Sequence, residues 1–423
     1  MQLNKQLINF INKSPSPYHA VSEVKSTLAE NGYTELFENE VWSLAEGGKY
    51  FVIRGGTSII AFRYKGSAKG FMIAASHSDS PSFKLKVTPE SVGAYTRLEV
   101  EKYGGMIYYS WFDRPLSLAG RVVLRTEEGI ETKLVNIDRD FAVIPSVAIH
   151  MNRAVNDGYK FNPAQDLLPL VGSADTKGGV MKEIANAAGV CADNIISHDL
   201  YLYNREEGRT FGVNNEYILS PRIDNLECVF ASMKAFVAAG ESDSIPLLAV
   251  FDNEEVGSET KQGAASSFFY DVLFRIAGDT LLPKLKNSFM VSADNAHAKH
   301  PNHPELADAD NAPMLNGGIV IKWNSNQRYA TDGVSSAVFQ SICERCGAKT
   351  QTFYTRADMM SGSTLGSISN TKVSISTVDI GLPQLAMHSA SEVAGAHDAA
   401  EMVKALTEFY GTSVCVSGDK VKF

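Results

Sequence analysis

The stretch LLAVFDNEEVG, residues 247–257, constrains the fold more than any other part of the chain. Five apolar residues in a row mark a strand covered on both faces, as in the parallel sheets of α/β proteins. The run ends in Asp252, Asn253, Glu254 and Glu255 before Gly257. Neighbouring carboxylates at the mouth of a buried strand are costly unless something positive meets them.

Other apolar runs end the same way. GFMIAAS leads into His77 and Asp79, FMVSA into Asp294, and SISTVDIG shortly into His388, while Asp224 opens the amphipathic segment RIDNLECVFASMKAFVAAG. Ligands of open α/β sheets bind beyond the carboxyl ends of the strands, so these groups are expected on one rim. Singly, each is weak: a His-x-Asp pair is common, and an Asp opening a helix ordinarily faces the helix dipole. Together they repel one another at short range, and divalent metal supplies the missing charge. Imidazole and carboxylate without thiolate suit Zn²⁺, with Co²⁺ or Mn²⁺ as substitutes, better than Ca²⁺ or Mg²⁺. Two ions fit the ligand count better than one, with a bridging carboxylate and a shared water. One of the adjacent glutamates can then bind metal while its neighbour takes a proton from that water.

The surrounding texture fits an α/β chain. A Ser-Pro-Ser-Pro start at 14–17 precedes Ala20, Val21, Val24 and Leu28 at helical spacing. KYFVIRG and SIIAFRYKG bracket Gly55-Gly56 as a hairpin, and strand and helix alternate again after residue 220. Between about 90 and 215 the segments RLEVEKYG, MIYYSWF, GRVVLRTEEG and TKLVNI read as short strands, with one strong helix at 179–188. IVIKWNSN, 319–326, does not resolve by periodicity, and SEVAGAHDAAEMVKALTEFYG reads as a closing helix. The expected architecture is a mixed-sheet α/β catalytic domain with helices on both faces, built from residues 1–88 and 217–423. A smaller β-rich domain, 89–216, interrupts it.

A net charge of −9 argues against nucleic acid or an anionic membrane as partner. Five scattered cysteines imply a reducing compartment. Neither a signal peptide nor an apolar span is visible, so the expected location is cytoplasmic. Cys343 and Cys346 lie in an amphipathic helix ending at Gly347, and no second ligand pair completes a zinc knuckle.

SHSDSPSFKLK, SPRIDNLECVFA, FDNEEVGSETKQGA, SADNAHAKHPN and LAMHSASE, in this order, resemble the aspartyl aminopeptidases, cytosolic dinuclear-zinc peptidases with an inserted β-rich domain. IHMNRAV, FNPAQDLLPL, IKWNSNQRYAT and DMMSGSTLG extend the resemblance along nearly the whole chain. It implies His77, Asp224, Glu255, Asp294 and His388 as metal ligands, with Asp224 bridging and Glu254 as general base. Asp79 would fix the ring of the ligand histidine. His150 would reach a neighbouring subunit's active site and steady the tetrahedral intermediate. The implied assembly is a dodecamer built from dimers, with the inserted domain 89–216 serving dimerisation and assembly, and the implied substrates are peptides with a free, acidic N-terminal residue.

A pocket for an acidic side chain needs fixed donors, for which Lys322 and Tyr329 are the candidates, with Ser361, Gly362, Ser363 and Thr364 shaping its floor. NPAQDL and DMMSGS depart from the usual family pattern and bear on substrate preference. His297, His300 and His303 read as loop residues. The rival expectations are a dinuclear aminopeptidase of neutral or broad preference and a non-catalytic shell of the same fold.

Overall fold

The computed structural model describes residues 2–423. Its main sheet has nine strands. Their order is Thr34–Leu36, Lys49–Arg54, Ser58–Arg63, Ile245–Phe251, Phe71–His77, Phe289–Ala293, Ser376–Gly381, Ile319–Trp323 and Thr350–Tyr354. The four strands from Ile245–Phe251 to Ser376–Gly381 run parallel, and both edges add antiparallel pairings.

Alternation along each central strand explains the covering of both faces. Met72 and Ala74 join one apolar cluster, with the helices Pro17–Glu30, Ile223–Ala238, Gly333–Cys346 and Asp398–Tyr410. Phe71, Ile73 and Ala75 join the other, with the helix Phe268–Ala277. Side chains of successive strand residues point to opposite faces, so a strand buried on both sides must be apolar throughout. That is why LLAVF carries no polar residue.

A second sheet of six strands lies between Ser82 and Asn204, with its own apolar core around Phe83, Leu98, Trp111, Val122 and Leu200, covered by the helix Gly179–Ala188. Its first strand, Ser82–Val92, contains the expected boundary at 88 and 89. A third sheet of five strands pairs Arg209–Phe211 with Tyr217–Ser220, so the expected boundary at 216 and 217 falls within a strand pair.

Two local expectations need correction, and one open segment resolves. MIYYSWF forms a 3₁₀ turn at Tyr108–Trp111: the Ser110 N–H and hydroxyl both donate to the Ile107 carbonyl, at 3.2 and 2.6 Å, and close the chain locally instead of leaving it extended. The closing helix begins only at Asp398, because Glu392–Gly395 pairs with Tyr217–Ser220 as a strand. IVIKW is a buried strand, Ile319–Trp323, next to Ser376–Gly381.

Candidate metal centre

Register brings the parallel strands to a common end, with Phe251 beside His77 and Ala293 beside Ile380. Asn253, in the left-handed region at φ 62°, turns the chain out of its strand, a conformation Asn tolerates better than most residues. Glu254 and Glu255 follow in a short 3₁₀ turn.

Asp224 stands between two histidines. Its Oδ1 lies 3.5 Å from His77 Nε2 and its Oδ2 lies 3.5 Å from His388 Nε2. Asp294 Oδ1 is 3.6 Å from His77 Nε2, and Glu255 Oε2 is 3.4 Å from His388 Nε2. Two triads result, His77–Asp224–Asp294 and Asp224–Glu255–His388, each compact enough to hold one ion and sharing Asp224. A third grouping takes in His77, Glu254 and Glu255. Ligand atoms about 2.1 Å from a tetrahedral zinc lie about 3.4 Å from each other, close to the spacings seen. Asp224 Oδ1 and Glu255 Oε1 are buried without a hydrogen-bond partner, which is costly unless a cation meets them. Donor chemistry, spacing and orphaned oxygens all fit a pair of zinc ions.

Electrostatics agree. Burial, helped by Asp294, Asp79 and Asp224 against the opposing pull of His77, pushes Glu254 up to about 8. Burial also drives Glu255 well above the usual carboxylate range. At His388 burial pulls the imidazole down, but the bond to Asp224 and the charge of Glu255 prevail and raise it to about 10. His77 is raised likewise by Asp224, Asp294 and Asp79 in spite of burial. Metal ions compete with protons for these same rings.

An outer layer fixes the geometry. Asp79 lies against His77 Nδ1, its Oδ1 at 3.3 Å, and accepts the backbone N–H groups of Glu254 and Glu255 and the Tyr103 hydroxyl at 2.7 Å. His388 Nδ1 lies 2.6 Å from the Gly105 carbonyl, and Glu392 accepts the N–H groups of His388 and Asp224. Asn295 donates to Glu227 and Gln384 beneath the rim. Tyr103, Glu392, Asn295, Glu227 and Gln384 escaped the sequence analysis. Tyr103 closes a strand of the smaller sheet and Glu392 sits in a strand read as helix, so no local pattern tied either to the rim.

The expected substrate contacts divide. Tyr329 and Gly362 line a cleft of about 240 Å³ together with Lys299, Arg356 and the three histidines first read as loop residues, His297, His300 and His303. Ser361 is half-buried and accepts from Thr355, Ser363 is exposed, and buried Thr364 donates to Asp379 at 2.6 Å. Lys322 is 3% exposed, donates to the Asn295 carbonyl at 2.7 Å and lies 3.5 Å from Asp294 Oδ2. His150 lies on an exposed turn and is not among the groups gathered at the rim. No helix among the described residues is long and apolar enough to cross a membrane.

A family model described as aminopeptidase I zinc metalloprotease (M18) matches residues 10–410. A probable M18 family aminopeptidase 2 of Clostridium acetobutylicum is 46% identical, over 97% of this chain and 99% of that protein. The structure described as the Ape4 and Nbr1 complex superposes with a TM-score of 0.94 at 34% identity, over 97% of this chain and 85% of the other. The Saccharomyces mApe1 dodecamer gives 0.85 at 29%, over 96% and 95%. A rim of histidines and carboxylates spaced for zinc on this mixed sheet, and a family match over almost the whole length, lead to one conclusion: the chain belongs to the M18 family of zinc aminopeptidases.

Proposed function

We propose that the chain releases acidic N-terminal residues from peptides, at a centre holding two Zn²⁺ per subunit, with Co²⁺ or Mn²⁺ able to substitute. The observation that carries this reading is Asp224, whose two oxygens face two different histidines at 3.5 Å each. His77, Asp224 and Asp294 would hold one ion, and Asp224, Glu255 and His388 the other. Bound there, zinc supplies Lewis acidity that polarises the scissile carbonyl and lowers the pKa of a nearby water.

The chain's own residues do the rest. Glu254, grouped with His77 and Glu255 at the rim, is placed to accept the proton of the attacking water and then deliver it to the leaving amine. Asp79 holds His77 and the backbone of both glutamates, so base and ligands keep one geometry. For the acidic side chain of the departing residue, the proposed contacts are Lys322, whose ammonium lies 3.5 Å from Asp294 Oδ2, and Tyr329, which lines the cleft together with His297, Lys299 and His300.

Assembly belongs to this reading. His150 is exposed between Ile149 and Met151, themselves 48% and 80% exposed, and Val147 nearby is 54% exposed. An apolar tip around one histidine suits insertion into a neighbouring copy, where His150 would donate to the oxyanion. The mApe1 relative is a dodecamer, and a dodecamer built from dimers, with the β-rich insert as the assembly domain, is the corresponding expectation for this chain.

The test combines metal content per chain with turnover of Asp-, Glu-, Leu- and Lys-anilides. Two zinc ions per chain and faster cleavage of the acidic anilides are expected. Faster turnover of Leu than Asp would overturn the acidic preference, and a single tight metal would overturn the dinuclear centre.

A further inference from the structure

Asp379 stands within the strand Ser376–Gly381, opposite Ser292 of the neighbouring parallel strand, and is fully buried. A carboxylate inside a strand covered on both faces is costly unless its oxygens are satisfied. Both are, by two different loops. Oδ2 accepts the Ala330 N–H at 2.5 Å, and Oδ1 accepts the Thr364 hydroxyl at 2.6 Å. The Asp379 N–H in turn donates to Thr331 Oγ1 at 2.9 Å. Beyond Thr364 the chain enters the helix Leu365–Ser369, where the Ser367 hydroxyl donates to the Arg328 carbonyl at 3.2 Å and so touches the other loop. This helix comes close to the sheet because residue 366 is glycine: a Cβ there would stand 2.7 Å from Asp379 Oδ1 and 2.8 Å from Ser292 Cβ.

The two loops are walls of the 240 Å³ cleft. Residues 324–332, after the strand Ile319–Trp323, bring Tyr329 to it, and residues 355–364, after the strand Thr350–Tyr354, bring Arg356, Met359 and Gly362. We propose that Asp379 is a positioning residue of this cleft: its carboxylate ties both loops, through the Ala330 N–H and the Thr364 hydroxyl, and so sets Tyr329 against the 355–362 segment. This rests on the reading of the cleft as the seat of the departing side chain. Asp379 does not itself line the cleft, so any effect on substrate passes through the loops. Ala330 follows Tyr329 directly, and a bond at its N–H fixes the peptide that carries the ring. Hydrogen bonds to a charged acceptor are stronger than neutral ones, which suits a single buried group that must hold two irregular segments.

Three variants test this with Asp- and Leu-anilides. Asp379→Ala frees both loops, Thr364→Val frees one and leaves the other bound, and Thr364→Ser keeps the hydroxyl. Circular dichroism checks folding, zinc content per chain checks the metal centre, and Thr364→Val decides should Asp379→Ala not fold. KM for the Asp-anilide is expected to rise about 10-fold or more in Asp379→Ala and about threefold or more in Thr364→Val, with kcat held within about twofold and zinc content unchanged. Thr364→Ser is expected to stay near the parent protein. KM for the Leu-anilide should move less, so that the Asp/Leu ratio of kcat/KM falls. Parent KM values in Thr364→Val, whatever its melting temperature, overturn the inference and leave these bonds to packing. Loss of zinc or of kcat at the parent KM also overturns it, by tying Asp379 to the metal centre instead, as does an equal rise of KM for both anilides. Failure of the underlying reading looks different: Tyr329→Phe would then keep the parent Asp/Leu ratio.

Discussion

Two clusters of charge, one half-buried and one buried, meet opposite fates in this molecule. Where the helix Pro17–Glu30 packs against the smaller sheet, Asp199 is held by Lys84 Nζ at 2.8 Å, Arg121 Nε at 3.0 Å and the Tyr18 hydroxyl at 3.2 Å. Burial alone would raise this carboxyl, but its bonds to Lys84 and Arg121 prevail and keep it below the usual range. At the strand ends, Glu254 and Glu255 are raised, and buried oxygens of Asp224 and Glu255 lack any partner. One cluster is closed within the chain, and the other needs cations from outside. A self-satisfied buried network ties structure together, whereas an unsatisfied one marks a site.

The largest expected effect breaks the open cluster without emptying it. Glu254→Gln should lower turnover about 10³-fold, roughly 4 kcal/mol of barrier, while zinc content stays full. In the presence of chelator the same variant should melt no lower than the parent, because it removes a carboxylate that burial disfavours. Undiminished hydrolysis would show that another group is the base. Tyr103→Phe comes next: loss of the hydroxyl bonded to Asp79 should weaken zinc binding or turnover about 10-fold. Wild-type values for both would reduce Tyr103 to packing.

In the closed cluster the same kind of change should act on stability alone. Asp199→Asn leaves Lys84 and Arg121 without their counter-charge and should cost about 1–3 kcal/mol in chemical denaturation, less than a fully buried pair because Asp199 is 25% exposed. Turnover per folded chain should stay as it was. Loss of activity at full stability would erase the contrast between the two clusters.

The smallest effect concerns a group kept neutral. His19, 2.8 Å from the Ser16 hydroxyl, is held down to about 4, chiefly by burial and also by the Arg222 charge. Its folded value lies below the unfolded one of about 6.5, so its contribution is complete above that pH and fades as pH falls from about 6.5 toward 4. With the ring half-buried, the loss should be about 1–2 kcal/mol, read as a drop in denaturation midpoint that His19→Gln abolishes.

Much of this site was legible because parallel strands buried on both faces allow polar residues only at their ends. His77, Glu254, Glu255 and Asp294 follow such runs directly, so the sequence pointed to one rim before any coordinates. Legibility failed where the partner came from elsewhere in the fold. Tyr103 reaches Asp79 only because the smaller sheet docks on the larger one. Glu392 reaches Asp224 and His388 only because its segment pairs as a strand instead of starting a helix. His297, His300 and His303 have loop sequences, and only the closing of the cleft gathers them.

By itself, then, the order of residues determined an α/β sheet with carboxylates and imidazoles at its carboxyl ends, since burial on both faces dictates the apolar runs and expels charge to their tips. Tertiary structure alone decided that Asp224 Oδ1 and Glu255 Oε1 are left without a partner, and that Lys322 comes within 3.5 Å of Asp294. Hydrophobic pattern is read along the chain, but hydrogen-bond satisfaction depends on atoms that meet only after the sheets have packed.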